Sequence, residues 1–143
     1  MTKVEAYGIC LYKKEKNSIK ILLCKSVQSF ERWGFLKGVK ESDESPKQTA
    51  AREFMEESGI CVKIDMLEVQ VFQKNDKKDI GIYLVNANKI KDLEKYFFGD
   101  ELHKHYLSWE NSRVKFFDIK KLPKIKKKQI LIAKQIKNIL TNN

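Results

Sequence analysis

Three glutamates, Glu53, Glu56 and Glu57, stand at i, i+3 and i+4 in a segment that reads as helix, so they share one helical face. Carboxylates crowded in this way repel one another unless a positive group sits among them. A divalent cation is the simplest occupant, and a phosphate ester held through that cation is the simplest substrate. A glycine-led loop from Gly38 to Glu44 feeds the helix, while the chain as a whole is strongly basic, with a net charge of +10.

The spacing is specific well beyond the trio. Gly38, five residues, Glu44, seven residues and then Arg52-Glu53-Phe54-Met55-Glu56-Glu57-Ser58-Gly59-Ile60 resembles the Nudix box at all nine positions that the box specifies. The resemblance implies hydrolysis of a pyrophosphate bond in a nucleotide, with magnesium or manganese as cofactor. Such a bond is inert because phosphate charge repels a nucleophile, so catalysis needs charge neutralisation, an in-line water and a proton acceptor. Glu53 and Glu57, one turn apart, can grip one ion, and Glu56 can hold another or act on the water. By the same resemblance the carbonyl of Gly38 adds an oxygen ligand. Arg52, next to Glu53, can fix a carboxylate in ligating geometry, and Glu44 can close the loop by pairing with Arg52. The box leaves the general base open between Glu56, Glu57 and a carboxylate from a later loop.

Flanking residues narrow the subgroup. Trp33-Gly34-Phe35-Leu36-Lys37-Gly38 resembles the lead-in of Nudix diadenosine tetraphosphate hydrolases, and RNA 5′-pyrophosphohydrolases carry a related one. Ile80-Gly81-Ile82-Tyr83-Leu84 is similar to the aromatic strand of the former group, and Ser108-Trp109-Glu110 followed by Lys115-Phe116-Phe117-Asp118 to its closing segment. Glu110 thereby becomes a candidate base or extra metal ligand, with Glu101 a weaker rival. His103 and His105, at i and i+2, fit a surface better than a catalytic pair. Lys37 and Arg32 are available to phosphate oxygens, and Tyr83 reads either as a ring that stacks on an adenine or as a core residue of its strand. The chain departs from the subgroup at Leu36, Val39 and Ser42-Asp43, where proline, histidine and proline-glycine are usual. The resemblance thus implies asymmetric cleavage of a dinucleoside polyphosphate. Two alternatives remain: pyrophosphate removal from triphosphorylated RNA, with lysines 120, 121, 124, 126, 127 and 128 tracking the backbone, and a noncatalytic nucleotide sensor. An intact carboxylate trio argues against the sensor.

The elements that must position these residues follow from periodicity. Val4 to Lys13 and Ile19 to Lys25, separated by a polar turn, read as an antiparallel strand pair. Trp33-Gly34-Phe35 reads as a short strand. The acidic helix is expected from about Ser45 to Ser58, with Ser45 as N-cap, Pro46 in the first turn and Gly59 at the C-terminus. Ala51, Phe54 and Met55 are expected to pack on a sheet, with the glutamates nearly opposite. Val62 to Phe72, Ile80 to Ala87 and Val114 to Asp118 are further strands, 88–109 a mixed segment or lid, and Ile125 to Leu140 a second helix. Strands on both sides of the acidic helix predict an α/β fold, a helix–sheet–helix sandwich with a mixed central sheet, which is also the Nudix-type fold that the resemblance implies.

Composition sets outer bounds. At 143 residues the chain fits one domain spanning 1–143. No apolar run reaches the roughly 18 to 20 residues of a membrane span, and the start at Met1-Thr2-Lys3 lacks an apolar leader segment. Cys10, Cys24 and Cys61 lie in apolar runs without metal-type spacing, which reads as buried reduced thiols in a cytoplasmic protein. Nearly all the positive charge is lysine, the arginines being Arg32, Arg52 and Arg113. That balance favours anionic partners, a small nucleotide or an RNA 5′ end, without marking a dedicated base reader. Oligomeric state is not expressed in these features.

Overall fold

The computed structural model describes residues 3–29 and 31–142, and the leader-free reading of Met1 and Thr2 lies outside them. Its elements are β1 (Val4–Lys14), β2 (Ile19–Ser26), β3 (Leu36–Val39), α1 (Pro46–Ser58), β4 (Gln70–Gln73), β5 (Lys78–Asn86), β6 (Phe97–Phe98), β7 (Glu101–Leu102), β8 (Asn111–Asp118) and α2 (Ile130–Thr141). The sheet runs β4-β5-β1-β2-β8-β7-β6, with β3 also paired to β1. β1 and β5 are parallel, from Val4 opposite Lys78 to Tyr12 opposite Asn86. The other strand pairs are antiparallel, so the sheet is mixed and open.

β1 reads as a near-continuous apolar run because both its faces are covered. Tyr7, Ile9 and Leu11 point into a core beneath α1 that includes Ala50, Phe54, Val85 and Phe116. Cys10 and Tyr12 point into a second core, beneath α2, with Ile82, Leu84, Ile132 and Ile136. The two helices therefore sandwich the sheet, as the sequence predicts.

One edge of β1 is shared. Ala6 to Ile9 pair with β3, while Tyr12 to Lys14 pair with β2. The sheet splits between these partners, and a single bridge, Cys24 opposite Gly34, ties the two sides near the fork. Gly8 makes the close approach of β3 feasible, because a Cβ there would collide with the Leu36 carbonyl and the Lys37 backbone.

Several expectations need correction. Val62 to Phe72 is not one strand: Ile64–Met66 is a 3-10 turn and only Gln70–Gln73 pairs. Val62 and Leu67 are buried under α1 rather than on a sheet face, and a short apolar run does not distinguish these cases. Trp33 and Gly34 form isolated bridges, the strand proper starting at Leu36. α2 starts at Ile130, with Ile125 held instead in a bridge to Trp33. Cys10 and Cys24 are buried free thiols, but Cys61 is exposed just past α1. Met55 is 53% exposed, whereas Glu57 is buried. At about 100° per residue Glu57 lies only about 60° from Phe54, so it flanks the apolar face instead of opposing it.

Candidate active site

α1 is fixed at both ends by local chemistry. The Ser45 hydroxyl accepts from the Gln48 N–H at 3.2 Å and the Gln48 side chain accepts from the Ser45 N–H at 2.8 Å, a reciprocal cap. Gly59 closes the helix at φ 76°, its N–H donating to Met55. The cost of a side chain at that φ falls on L-residues, which is why glycine stands there.

Arg52 organises the acidic residues. Its Nε and Nη2 donate to the two Glu44 oxygens at 2.5 and 2.9 Å. Nη1 reaches Glu53 at 2.8 Å and Glu56 at 3.0 Å, and Nη2 also donates to the Val39 carbonyl at 3.2 Å. Glu44 accepts further from the Thr49 hydroxyl and the Glu41 N–H. The guanidinium hydrogen bonds hold the Glu44 carboxyl well down, at about 2, and the same contacts raise Arg52 further above its ordinary value. Loop and helix are thereby clamped before any ligand arrives.

The trio is not uniform. Glu56 is half exposed, and Glu53 has its carboxylate against Gly38 so closely that a Cβ on Gly38 would overlap it. Gly38 is thus the position where the backbone must come close to the acid. Burial raises Glu53 above its ordinary value, with Glu56 adding to this and Arg52 opposing it. Glu57 reaches into the fork beside the start of β8, where Asn111 Nδ2 donates to its Oε1 at 2.8 Å. Its Oε2 is buried with no partner among the described residues. Burial pushes Glu57 up to about 7; the nearby negative charges of Glu53 and Glu110 add to this, and Asn111 and Lys37 oppose it.

Among the described residues no three of His, Cys, Asp and Glu converge as placed on one point that would hold a metal ion. Arg52 holds Glu53 and Glu56, and Asn111 holds Glu57. The donor set nevertheless suits a hard divalent cation: all the atoms are oxygens, one is a buried carboxylate oxygen without a partner, and the glycine hollow brings backbone and acid together.

The other sequence candidates are spread differently. Glu110 is exposed in the turn before β8, its carbonyl accepting from the Val27 N–H at 2.9 Å, and its charge bears on both Glu53 and Glu57. Glu101 is occupied by a two-pronged bond to Arg113, both contacts 2.9 Å. His103 and His105 stack on each other at 5.7 Å in the loop where Tyr106 covers Gly59. Tyr83 is in the core under α1, with its hydroxyl accepting from Gln70 Nε2 at 2.9 Å. A ring buried in this core is not free to stack on a base, so of the two readings of Tyr83 the core one holds. Lys37 projects from the opposite face of β3 to Gly38's acid contact, with Arg32 nearby, and both line a basic cavity. Burial holds Lys37 below its ordinary value, and Lys78 pushes the same way. Arg32 donates to the Ile125 carbonyl at 2.6 Å. Two polar residues were missed from sequence. Asn111 stands beside Glu110 and offered that adjacency as its one signal, while Gln129 joins the site only through folding.

Comparison with known proteins bears on the family and the fold. The chain matches the NUDIX domain family model over residues 2–138. No curated protein matches it. A NUDIX hydrolase from Nitrosomonas europaea is similar in fold, with a TM-score of 0.69 at 20% identity over 100% of this chain and 73% of that one. A C. elegans Ap4A hydrolase binary complex gives 0.59 at 23% identity, covering 96% and 92% of the two chains. A MutT/nudix family protein from Enterococcus faecalis gives 0.63 at 16% identity over 82% of this chain, which spans only 44% of that protein. With the box and the fold both in place, the chain belongs to the NUDIX family and is a hydrolase of the pyrophosphate bond in nucleotide-like substrates.

Proposed function

We propose that the substrate is a dinucleoside polyphosphate such as diadenosine tetraphosphate, cleaved asymmetrically into a nucleoside triphosphate and a monophosphate. One observation carries the site assignment: a clamped carboxylate cluster that ends in a buried Glu57 oxygen without a partner, beside a glycine that presses on Glu53. Glu53, Glu56, Glu57 and the Gly38 carbonyl would hold magnesium, which when bound neutralises phosphate charge. Arg52 and Glu44 keep the loop and helix in register around it. Glu110 takes the proton from the attacking water: its carboxylate has no ion-pair or hydrogen-bond partner among the described residues, and its charge reaches Glu53 and Glu57. Lys37 and Arg32 bind phosphate oxygens. Likeness of fold to an Ap4A hydrolase and the lead-in Trp33 to Gly38 support the substrate class. The unit is one domain over 1–143, acting in the cytoplasm, where Cys10 and Cys24 stay reduced. Among the described residues no helix is long and apolar enough to cross a membrane.

A second reading keeps the chemistry and changes the substrate to triphosphorylated RNA 5′ ends, favoured by the lysines preceding α2. Product analysis with magnesium on diadenosine tetraphosphate, triphosphorylated RNA, a nucleotide sugar and nucleoside triphosphates decides between them. The expected result is ATP and AMP from the dinucleotide, abolished by a chelator. Turnover that survives chelation, or preference for the nucleotide sugar, would overturn the proposal.

A further inference from the structure

We infer that the cavity between β3 and the start of α2 is a polyphosphate-binding pocket that receives the phosphate-rich arm of the substrate; this deepens, and rests on, the function proposed above. The cavity has a volume of about 370 Å³ and gathers six cations, Arg32, Lys37, Lys78, Lys126, Lys127 and Lys128. No carboxylate lines it, and among the described residues none of its five lysines has an ion-pair partner. So many cations without an ion-paired carboxylate around one hollow repel one another, and an anion relieves that repulsion.

The hollow is built rather than a chance meeting of surface side chains. The Lys126 N–H donates to the Trp33 carbonyl at 2.9 Å. Gln73 and Asn75 donate to the carbonyls of Lys127 and Lys128 at 3.4 and 3.2 Å. Gln129 is only 3% exposed, and its Oε1 accepts from the Phe35 N–H at 2.7 Å. That bond fixes which end of the amide is which, and Gln129 lines the cavity with its Nε2 end free to donate into it. Gly34 makes room for this amide, since a Cβ there would strike it at 2.7 Å.

A phosphate chain fits these walls better than a nucleobase does. No aromatic ring lines the cavity and Ile80 is its one apolar side chain, whereas bases are held by stacking and phosphates by cations and N–H donors. An open RNA track also fits poorly. Lys124, which such a track would use, pairs with Glu31, and Lys120 lies in a separate hollow with Ser18 and Ile119. Lys37 precedes Gly38 in β3, and although its side chain leaves the other face, its charge and that of Glu57 act on each other, so the pocket approaches the acidic site at the fork. A substrate with phosphates on both sides of the scissile linkage can span the two.

The test is calorimetric binding of inorganic tripolyphosphate to chelator-treated full-length protein, where neither metal nor hydrolysis contributes. Wild type is expected to bind one equivalent. The triple variant K126Q/K127Q/K128Q should bind roughly tenfold more weakly, and Gln129→Glu, which keeps the bond to Phe35 but adds a negative charge, should not bind. A control, K16Q/K91Q/K95Q, should match wild type. Equal weakening in control and triple variant, or none in the triple variant, overturns the pocket. In kinetics the triple variant should raise KM for the substrate with the long phosphate chain, diadenosine tetraphosphate or triphosphorylated RNA, and leave that for a nucleotide sugar in place. An equal rise for all three also overturns it. Inactivity of wild type on every nucleotide would instead refute the proposed function while tripolyphosphate binding still stood.

Discussion

The two helices cover opposite faces of the same sheet and are nearly equal in length, 13 and 12 residues, yet they are positioned by different forces. α1 is capped at both ends by directed hydrogen bonds and tied to its loop through Arg52 and Glu44. α2 has no side-chain cap and is held by Ile132, Ala133, Ile136 and Leu140 in the second core. Apolar packing sets where a helix lies but tolerates small shifts, whereas hydrogen bonds fix angle and register. The helix that must aim carboxylates is fixed by its own caps and loop, whereas α2 takes its polar contacts from β4, Leu131 N–H donating to Gln73 Oε1 at 3.0 Å and Gln135 Nε2 to the Phe72 carbonyl at 3.2 Å.

Substitutions at matched positions should separate the two roles. The largest effect is expected for Glu57→Gln, which should lower turnover by roughly a hundredfold or more with the fold intact by circular dichroism; near wild-type rates would remove Glu57 from the site. The same residue gives a pH signature. Glu57 keeps its proton up to about 7 in the folded chain, against an ordinary value of 4.5, so the metal-free fold should lose stability as pH rises from about 4.5 to 7. The loss should reach about 3 kcal/mol by urea titration, and should vanish in Glu57→Gln. In α2, Ile136→Ala should cost about 3 kcal/mol of stability while kcat measured on the folded fraction stays near wild type. If kcat collapses with it, α2 does more than pack. The smallest effect is expected for Ser45→Ala, about 1 kcal/mol, accompanied by a fall in kcat larger than that of Ile136→Ala. Equal kcat for the two would end the contrast between the helices.

The same division explains what could be read from the chain beforehand. α1 was legible to the residue because its caps, its proline and its glycine are local signals, and the Arg52–Glu44 tie spans only eight positions. The direction of Glu57 was not, since three residues on one turn look alike until the sheet decides which is covered. Asn111 and Gln129 are 54 and 94 positions from the groups they bond, and such pairings leave no trace in spacing. Tyr83 illustrates a different limit: an alternating strand names two faces but not which one meets a helix. The mixed order of strands was legible only as a class, because β4, β6 and β7 are too short to carry a period.

The parallel ladder between β1 and β5 joins residues 74 positions apart at Val4 and Lys78, and the whole acidic loop and helix lie inside the circuit it closes. Long-range pairing of this kind forms late, after the entropy of a large loop has been overcome. During synthesis β1 and β3, whose Tyr7, Ile9, Leu11 and Leu36 lie under α1, emerge before the glutamates, but a nascent chain stalled before β8 would carry every residue of the acidic motif without Asn111, the group that seats Glu57.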